Sequence, residues 1–265
     1  MINFCNTSTI GDVPVPTDAD PIVDKLGVRP FNARSMVLSV LLGLPEPRLP
    51  AAAILRLAEP FGVAPGTMRT ALSRMVAAGE LVNHGGDYEL RGRLLERKEA
   101  QDVGRRPAGD AWDGSWWIAA VTAPSRTVAE RRDFRAQMVN ARMGELRPET
   151  WLRPANLAGP RVDPAVAVVR GALSGPDADE LVQALWDLPA IEARCRLLIA
   201  ALDDPELELP AMMRRAAAVV RFLREEPLLP RSLTPDGWPA DELRERYRDL
   251  DRELGRMVRA LVQQT

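Results

Sequence analysis

The run PGTMRTALSRMVAAGELVNHGGDYEL, residues 65–90, constrains the fold of this chain more than any other. Met68, Ala71, Leu72, Met75 and Val76 recur at helical spacing and mark one face that has to be buried. Pro65 suits the first helical position, where its missing N–H costs nothing, and Gly79 suits the left-handed stop beyond the last. The opposite face carries Thr67, Arg69, Thr70, Ser73 and Arg74, with no acid among them. Guanidinium forks and short hydroxyls are the groups that reach phosphates and base edges in a major groove. Two short apolar-containing runs then flank Asn83-His84-Gly85-Gly86-Asp87, whose adjacent glycines supply the positive φ of a tight hairpin. Helix then hairpin reads as a recognition helix followed by a wing.

A single amphipathic helix with two arginines is usually only a solvated face, so the residues before it decide. Asn32 can cap a helix ARSMVLSVLLGL with Met36, Val37, Val40 and Leu41 on its core side. Pro50 opens a second helix with Ile54, Leu55 and Ala58 apolar, and Phe61-Gly62-Val63-Ala64 is a turn of the length that joins a helix-turn-helix. Residues 31–91 therefore read as a winged helix-turn-helix. Thr67, Arg69, Thr70, Ser73, Arg74, His84 and Arg91 are its candidate DNA contacts.

Composition narrows what the rest can be. The net charge of −2 argues against a nucleic-acid partner until it is divided along the chain. Residues 31–110 hold 11 Lys and Arg against 9 Asp and Glu, and residues 112–173 hold 9 against 6. Residues 176–265 hold 13 against 18, so an acidic end hides a modest basic excess before it. Cys5 and Cys195 make no disulfide framework or metal-ligand spacing, and His84 is the one histidine. No catalytic residue, metal ligand or cofactor is expected. No apolar run approaches the ~20 residues that span a bilayer, and the first thirty residues lack the pattern of a signal peptide. They read as a flexible arm (1–30), and the expected location is the cytoplasm.

After the wing, residues 92–110 are charged and end in Pro and Gly, which reads as a linker, partly helical, with a hinge in its second half. In WDGSWWIAAVTA, Trp116, Ile118 and Ala120 alternate with Trp117, Ala119 and Val121, as in a strand covered on both faces. A helix with Val128, Phe134, Met138 and Val139 inward, two short strand candidates at Thr150–Arg153 and Ala165–Leu173, and a helix over Asp179–Leu188 follow. The order β-α-β-β-α over 111–175 and onward suggests a ferredoxin-like module. Residues 176–265 read as a helical domain. In its last helix Leu243, Tyr247, Leu250, Leu254, Met257 and Leu261 recur at heptad spacing, fit either for dimerisation or for packing within the chain. The expected fold class is a helix-rich α+β protein: winged helix-turn-helix, ferredoxin-like middle, helical end.

Three stretches together resemble the PaaX-like repressors of phenylacetate and related aromatic catabolism. They are MRTALSRMVAAGELV (68–82), WDGSWWIAAV with the later GELRPETWLRPANL (112–157), and PLLPRSLTPDGWPADELRERYRDL (227–250). Ala240 stands where that pattern has glycine, and the amino-terminal arm lies outside it. The resemblance implies a homodimeric bacterial repressor that binds a palindromic double-stranded DNA operator and is released by a small effector, an aryl-CoA thioester or aromatic acid. Trp116, Arg126, Trp151 and Arg153 are the residues the middle module offers such a ligand, the alternative being a tryptophan-rich core with surface arginines. A ferredoxin-like module also resembles the small metal-dependent nuclease of CRISPR spacer acquisition, but the first strand ends in VTAPSR with no carboxylate. A third reading makes the winged helix a ligand-independent protein-interaction module.

Overall fold

The computed structural model describes residues 28–107, 111–122, 127–161, 166–203 and 208–263. Cys5, Arg126 and nearly all of the amino-terminal arm lie outside them. The chain forms two compact units. One holds the residues up to Arg97 with Asp204–Ala217 and Asp249–Thr265; the other holds Lys98–Asp203 and Ala218–Arg248. The stretch read as a separate helical domain is thus shared between the two, because its helices complete cores begun earlier in the chain.

The first unit is built on three helices and a small sheet. Asn32 caps α1 (Ala33–Gly43) through a reciprocal capping box with Ser35. β1 (Arg48–Pro50) leads into α2 (Ala51–Ala58), and one 3₁₀ turn (Glu59–Phe61) follows it. Gly62, at φ 67°, then reverses the chain into α3 (Pro65–Ala77). β2 (Leu81–His84) and β3 (Asp87–Leu90) form the hairpin, with Gly85 and Gly86 both at positive φ. β1 adds itself antiparallel to β3, giving the order β1-β3-β2. A three-residue strand ending in proline gives no alternation to read, which is why β1 is silent in the sequence. Met36, Leu41, Ile54, Leu57, Phe61, Met68, Leu72 and Met75 make one core. Val76 is the exception on α3: it lies at the edge of the apolar arc and stays exposed.

The segment 92–110 is more ordered than the partly helical linker expected, and its second half is not a hinge. Its residues Arg93–Arg105 are a helix, α4, whose second half is packed rather than hinged. Gly104 shows why: a Cβ there would meet the Leu223 carbonyl oxygen at 2.4 Å. The apparent hinge glycine is a contact surface.

The second unit carries a four-stranded antiparallel sheet of β4 (Ser115–Val121), β5 (Gly144–Arg147), β6 (Thr150–Pro154) and β7 (Val166–Ala172), in the order β5-β6-β4-β7. Central β4 is covered on both faces. Trp116 and Ile118 join one cluster, while Trp117, Ala119 and Val121 join another with Phe134 and Met138. The latter two lie on α5 (Val128–Asn140), whose first residue, Val128, is 76% exposed instead of inward. α6 (Ala178–Leu185) and α7 (Leu188–Ala201) follow the sheet. The element order is therefore β-α-β-β-β-α, one strand more than expected. The extra strand is β5, whose one large apolar residue, Leu146, is exposed, so it carries no burial pattern.

α8 (Leu209–Glu225) and α9 (Ala240–Gln263) complete the chain. Of the heptad residues on α9, Leu254, Met257 and Leu261 pack on the first unit's core, and Leu243 and Tyr247 are buried within the second. Arg56 donates to the Leu261 and Val262 carbonyl oxygens at 2.8 and 3.1 Å, fastening the helix end to α2. These contacts engage the proposed dimerisation stripe within its own chain; Leu250 is half-buried.

Candidate nucleic-acid interface

α3 is held from one side only. Met68, Leu72 and Met75 are fully buried, which leaves Thr67, Arg69, Thr70, Ser73 and Arg74 all exposed on the other side. Thr70 Oγ1 donates back to the Gly66 carbonyl oxygen at 2.9 Å, so its hydroxyl is fixed in direction while its lone pairs stay open outward.

The acids around α3 and the wing have partners of their own. Arg34 pairs with Glu80, Arg48 with Asp87 at 2.8 Å, and His84 Nε2 lies 3.4 Å from Glu89. Among the described residues, Arg69, Arg74 and Arg91 form no ion pair. That matters in a chain whose arginines are otherwise so commonly bound to carboxylates. A cation paired within its own fold has already spent much of its attraction for a phosphate, whereas these three have not.

The wing tip is held by two hydrogen bonds. Gly86 N donates to Asn83 Oδ1 at 2.8 Å, and the Gly86 carbonyl accepts from Ala51 N at 2.8 Å. The tip is thereby tied to the start of α2, with His84 exposed beside it. Arg91, just past the wing, donates its backbone N–H to Glu80 O at 2.9 Å and leaves its side chain in solvent. Six of the seven candidate contacts therefore lie on α3 or the wing hairpin, and Arg91 follows directly after it.

The residues considered for an effector are not brought together in the same way. Trp116 is buried against Trp112 on one face of the sheet, their ring centroids 5.8 Å apart. Trp151 is buried on the opposite face, edge-on to Phe134 and beneath the Arg135 guanidinium. Arg153 is buried and donates to the Ala158 carbonyl oxygen; burial pushes its pKa down to about 10. Two tryptophans on opposite sheet faces cannot line one pocket, and Arg126 lies outside the described residues. The second cysteine, Cys195, is buried, and burial pushes its thiol up to about 12, which leaves it a small apolar side chain and not a nucleophile.

A cluster invisible to helical periodicity lies elsewhere in the second unit. Arg244 and Glu226 form an ion pair at 2.5 Å with both side chains 2% exposed. Arg142 donates to the Glu226 and Leu223 carbonyl oxygens, and burial pushes its pKa down to about 10. The signal was present only as a charged residue next to Leu243 on the apolar side of α9.

A winged helix whose third helix carries an exposed, unpaired cationic face, followed in the chain by a ferredoxin-like sheet, defines the class. The sequence profile of PaaX-like proteins matches residues 32–94, and that of the PaaX central Cas2-like domain matches residues 109–167. A solved structure from Mycobacterium tuberculosis, the uncharacterized protein Rv0674, is 35% identical, with a TM-score of 0.69 over 86% of this chain and 98% of its own. No match emerges among curated proteins. The chain belongs to the PaaX-like family, whose members are transcriptional regulators of the phenylacetate-catabolism type. Among the described residues no helix is long and apolar enough to cross a membrane.

Proposed function

We propose that this protein is a repressor of a catabolic operon for aromatic compounds, binding a palindromic operator as a dimer. α3 enters the major groove, where Arg69 and Arg74 reach guanine edges or phosphates and Thr67, Thr70 and Ser73 add short hydroxyl contacts. His84 and the wing turn lie near the minor groove, and Arg91 lies on the backbone. Two copies present their α3 helices to half-sites about one helical turn, ~34 Å, apart. The pairing surface is sought outside the apolar stripe of α9, whose side chains are engaged within the chain. Release by a small effector, an aryl-CoA thioester or an aromatic acid, follows if that ligand binds the DNA-free arrangement more tightly. Family membership supports the regulatory part of this reading.

The observation that carries it is the outward face of α3: exposed, hydroxylated and cationic, with every neighbouring salt bridge made by other residues. The test is a gel shift on the DNA flanking the gene. Arg69→Ala with Arg74→Ala should weaken retention by about 2 kcal/mol or more while leaving helicity and oligomeric state unchanged. Undiminished binding would remove α3 from the interface.

A further inference from the structure

Two acids adjoin the proposed DNA contacts, and each is held by an arginine from outside α3 and the β2–β3 hairpin. Glu80 joins α3 to β2, and its backbone carbonyl accepts from the N–H of Arg91. Its carboxylate is gripped on both oxygens by Arg34 of α1: Nε donates to Oε2 at 2.9 Å, and Nη2 donates to Oε1. Asp87 lies opposite His84 at the wing tip. Its Oδ2 is 3.0 Å from Nε and 2.8 Å from Nη2 of Arg48, on β1. Glu89 stands across from Arg48 in the ladder, but its carboxylate is the one facing His84 Nε2 at 3.4 Å.

Neither pair is sealed from solvent. The side chains of Arg34 and Arg48 are 50% and 46% exposed, so a second anion can reach each guanidinium. A phosphate offers the guanidinium fork the same two-oxygen geometry that a carboxylate does. Exposed pairs contribute little to stability, so a phosphate contests them at small cost. The carboxylate has the advantage of being tethered at contact distance. Once displaced, it also stands within a Debye length of the phosphates, about 8 Å at physiological salt, and repels them. Both effects favour the internal acid over the duplex.

We infer that Arg34 and Arg48 are phosphate-binding residues held in reserve, and that Glu80 and Asp87 are internal mimics of DNA phosphate that keep them occupied. One pair sits at the base of the hairpin and the other at its tip, so the two bracket the wing. Their occupation limits how many phosphates each subunit neutralises, and it leaves binding to depend more on the side chains of α3. The inference rests on the reading of α3 and the wing as the DNA interface.

The experiment measures binding of the full-length protein to two labelled duplexes by fluorescence anisotropy over a range of salt. One duplex is the DNA flanking the gene, and the other is a scrambled sequence of equal composition. Glu80→Gln with Asp87→Asn removes both charges with little change of shape. The expected result is affinity for both duplexes raised at least about tenfold, with the slope of log K against log salt steeper by at least about 1 per subunit. Adding Arg34→Ala and Arg48→Ala to that variant should abolish both gains. A neutralised variant that binds no tighter, at an unchanged slope, would overturn the inference. So would a gain that survives the loss of both arginines, because relief of repulsion alone then explains it. Failure of the underlying reading is distinct: neither the wild type nor the neutralised variant then binds either duplex, and the inference falls with it.

Discussion

Arg244 is the residue on which the second unit makes its most expensive commitment. Its guanidinium is buried with Glu226, and each ion lost several kcal/mol of hydration to get there. The cost is offset by direct contact and by the Gly104 carbonyl oxygen, which accepts from Nε at 3.1 Å. Glu226→Leu should therefore destabilise the protein by about 3–5 kcal/mol, because Arg244 stays buried with only the half-exposed Asp241 carboxylate, 3.2 Å away, as counter-charge. The double variant Glu226→Leu with Arg244→Met should recover most of that loss. Urea unfolding of the three proteins decides it; a double variant no better than the single would mean the pair is worth more than its desolvation. Single residues also show what pattern-reading leaves out. Val128 and Val76 sit at helical positions that look inward by spacing, yet both are exposed. Arg244 looks like part of a solvated charged face and is among the most buried side chains described.

At the scale of elements, helices announced themselves where the signal was chemical as well as periodic. The Asn32 cap, the αL Gly79 and the paired glycines of the wing each tie one residue type to one backbone geometry, and all three are where the spacing puts them. β1 and β5 were not legible, since short strands with one inward residue have no alternation to show. The packing of α4 is hidden for the opposite reason: its glycine looks like flexibility but marks close packing. Gly104→Ala tests this. In a solvent-facing hinge or helix alanine would be neutral or favourable by up to ~1 kcal/mol. Against a carbonyl oxygen at 2.4 Å it should cost about 1–3 kcal/mol in thermal or chemical unfolding. A stabilised Gly104→Ala protein would return the second half of α4 to the role of hinge.

For the whole molecule, net charge is a poor guide to partners. At −2 the chain is on balance repelled by DNA, so the proposed operator binding requires a local surface with few phosphate contacts. Arg91→Ala should reduce the slope of log K against log salt by about 1 per subunit and weaken specific and non-specific DNA alike. An unchanged slope would take Arg91 off the backbone. The exposed cationic face of α3, the wing hairpin and the family were readable in the sequence because each rests on residues close together in the chain, where spacing, caps and turn chemistry determine geometry. Which surfaces are spent was decided only by tertiary structure. The apolar stripe of α9, the two tryptophans of the sheet, and the arginines that pair or remain unpaired all depend on partners tens to hundreds of residues away. Burial and charge pairing are non-local, so a stripe or a cation in the sequence is an offer whose taker only the folded chain reveals.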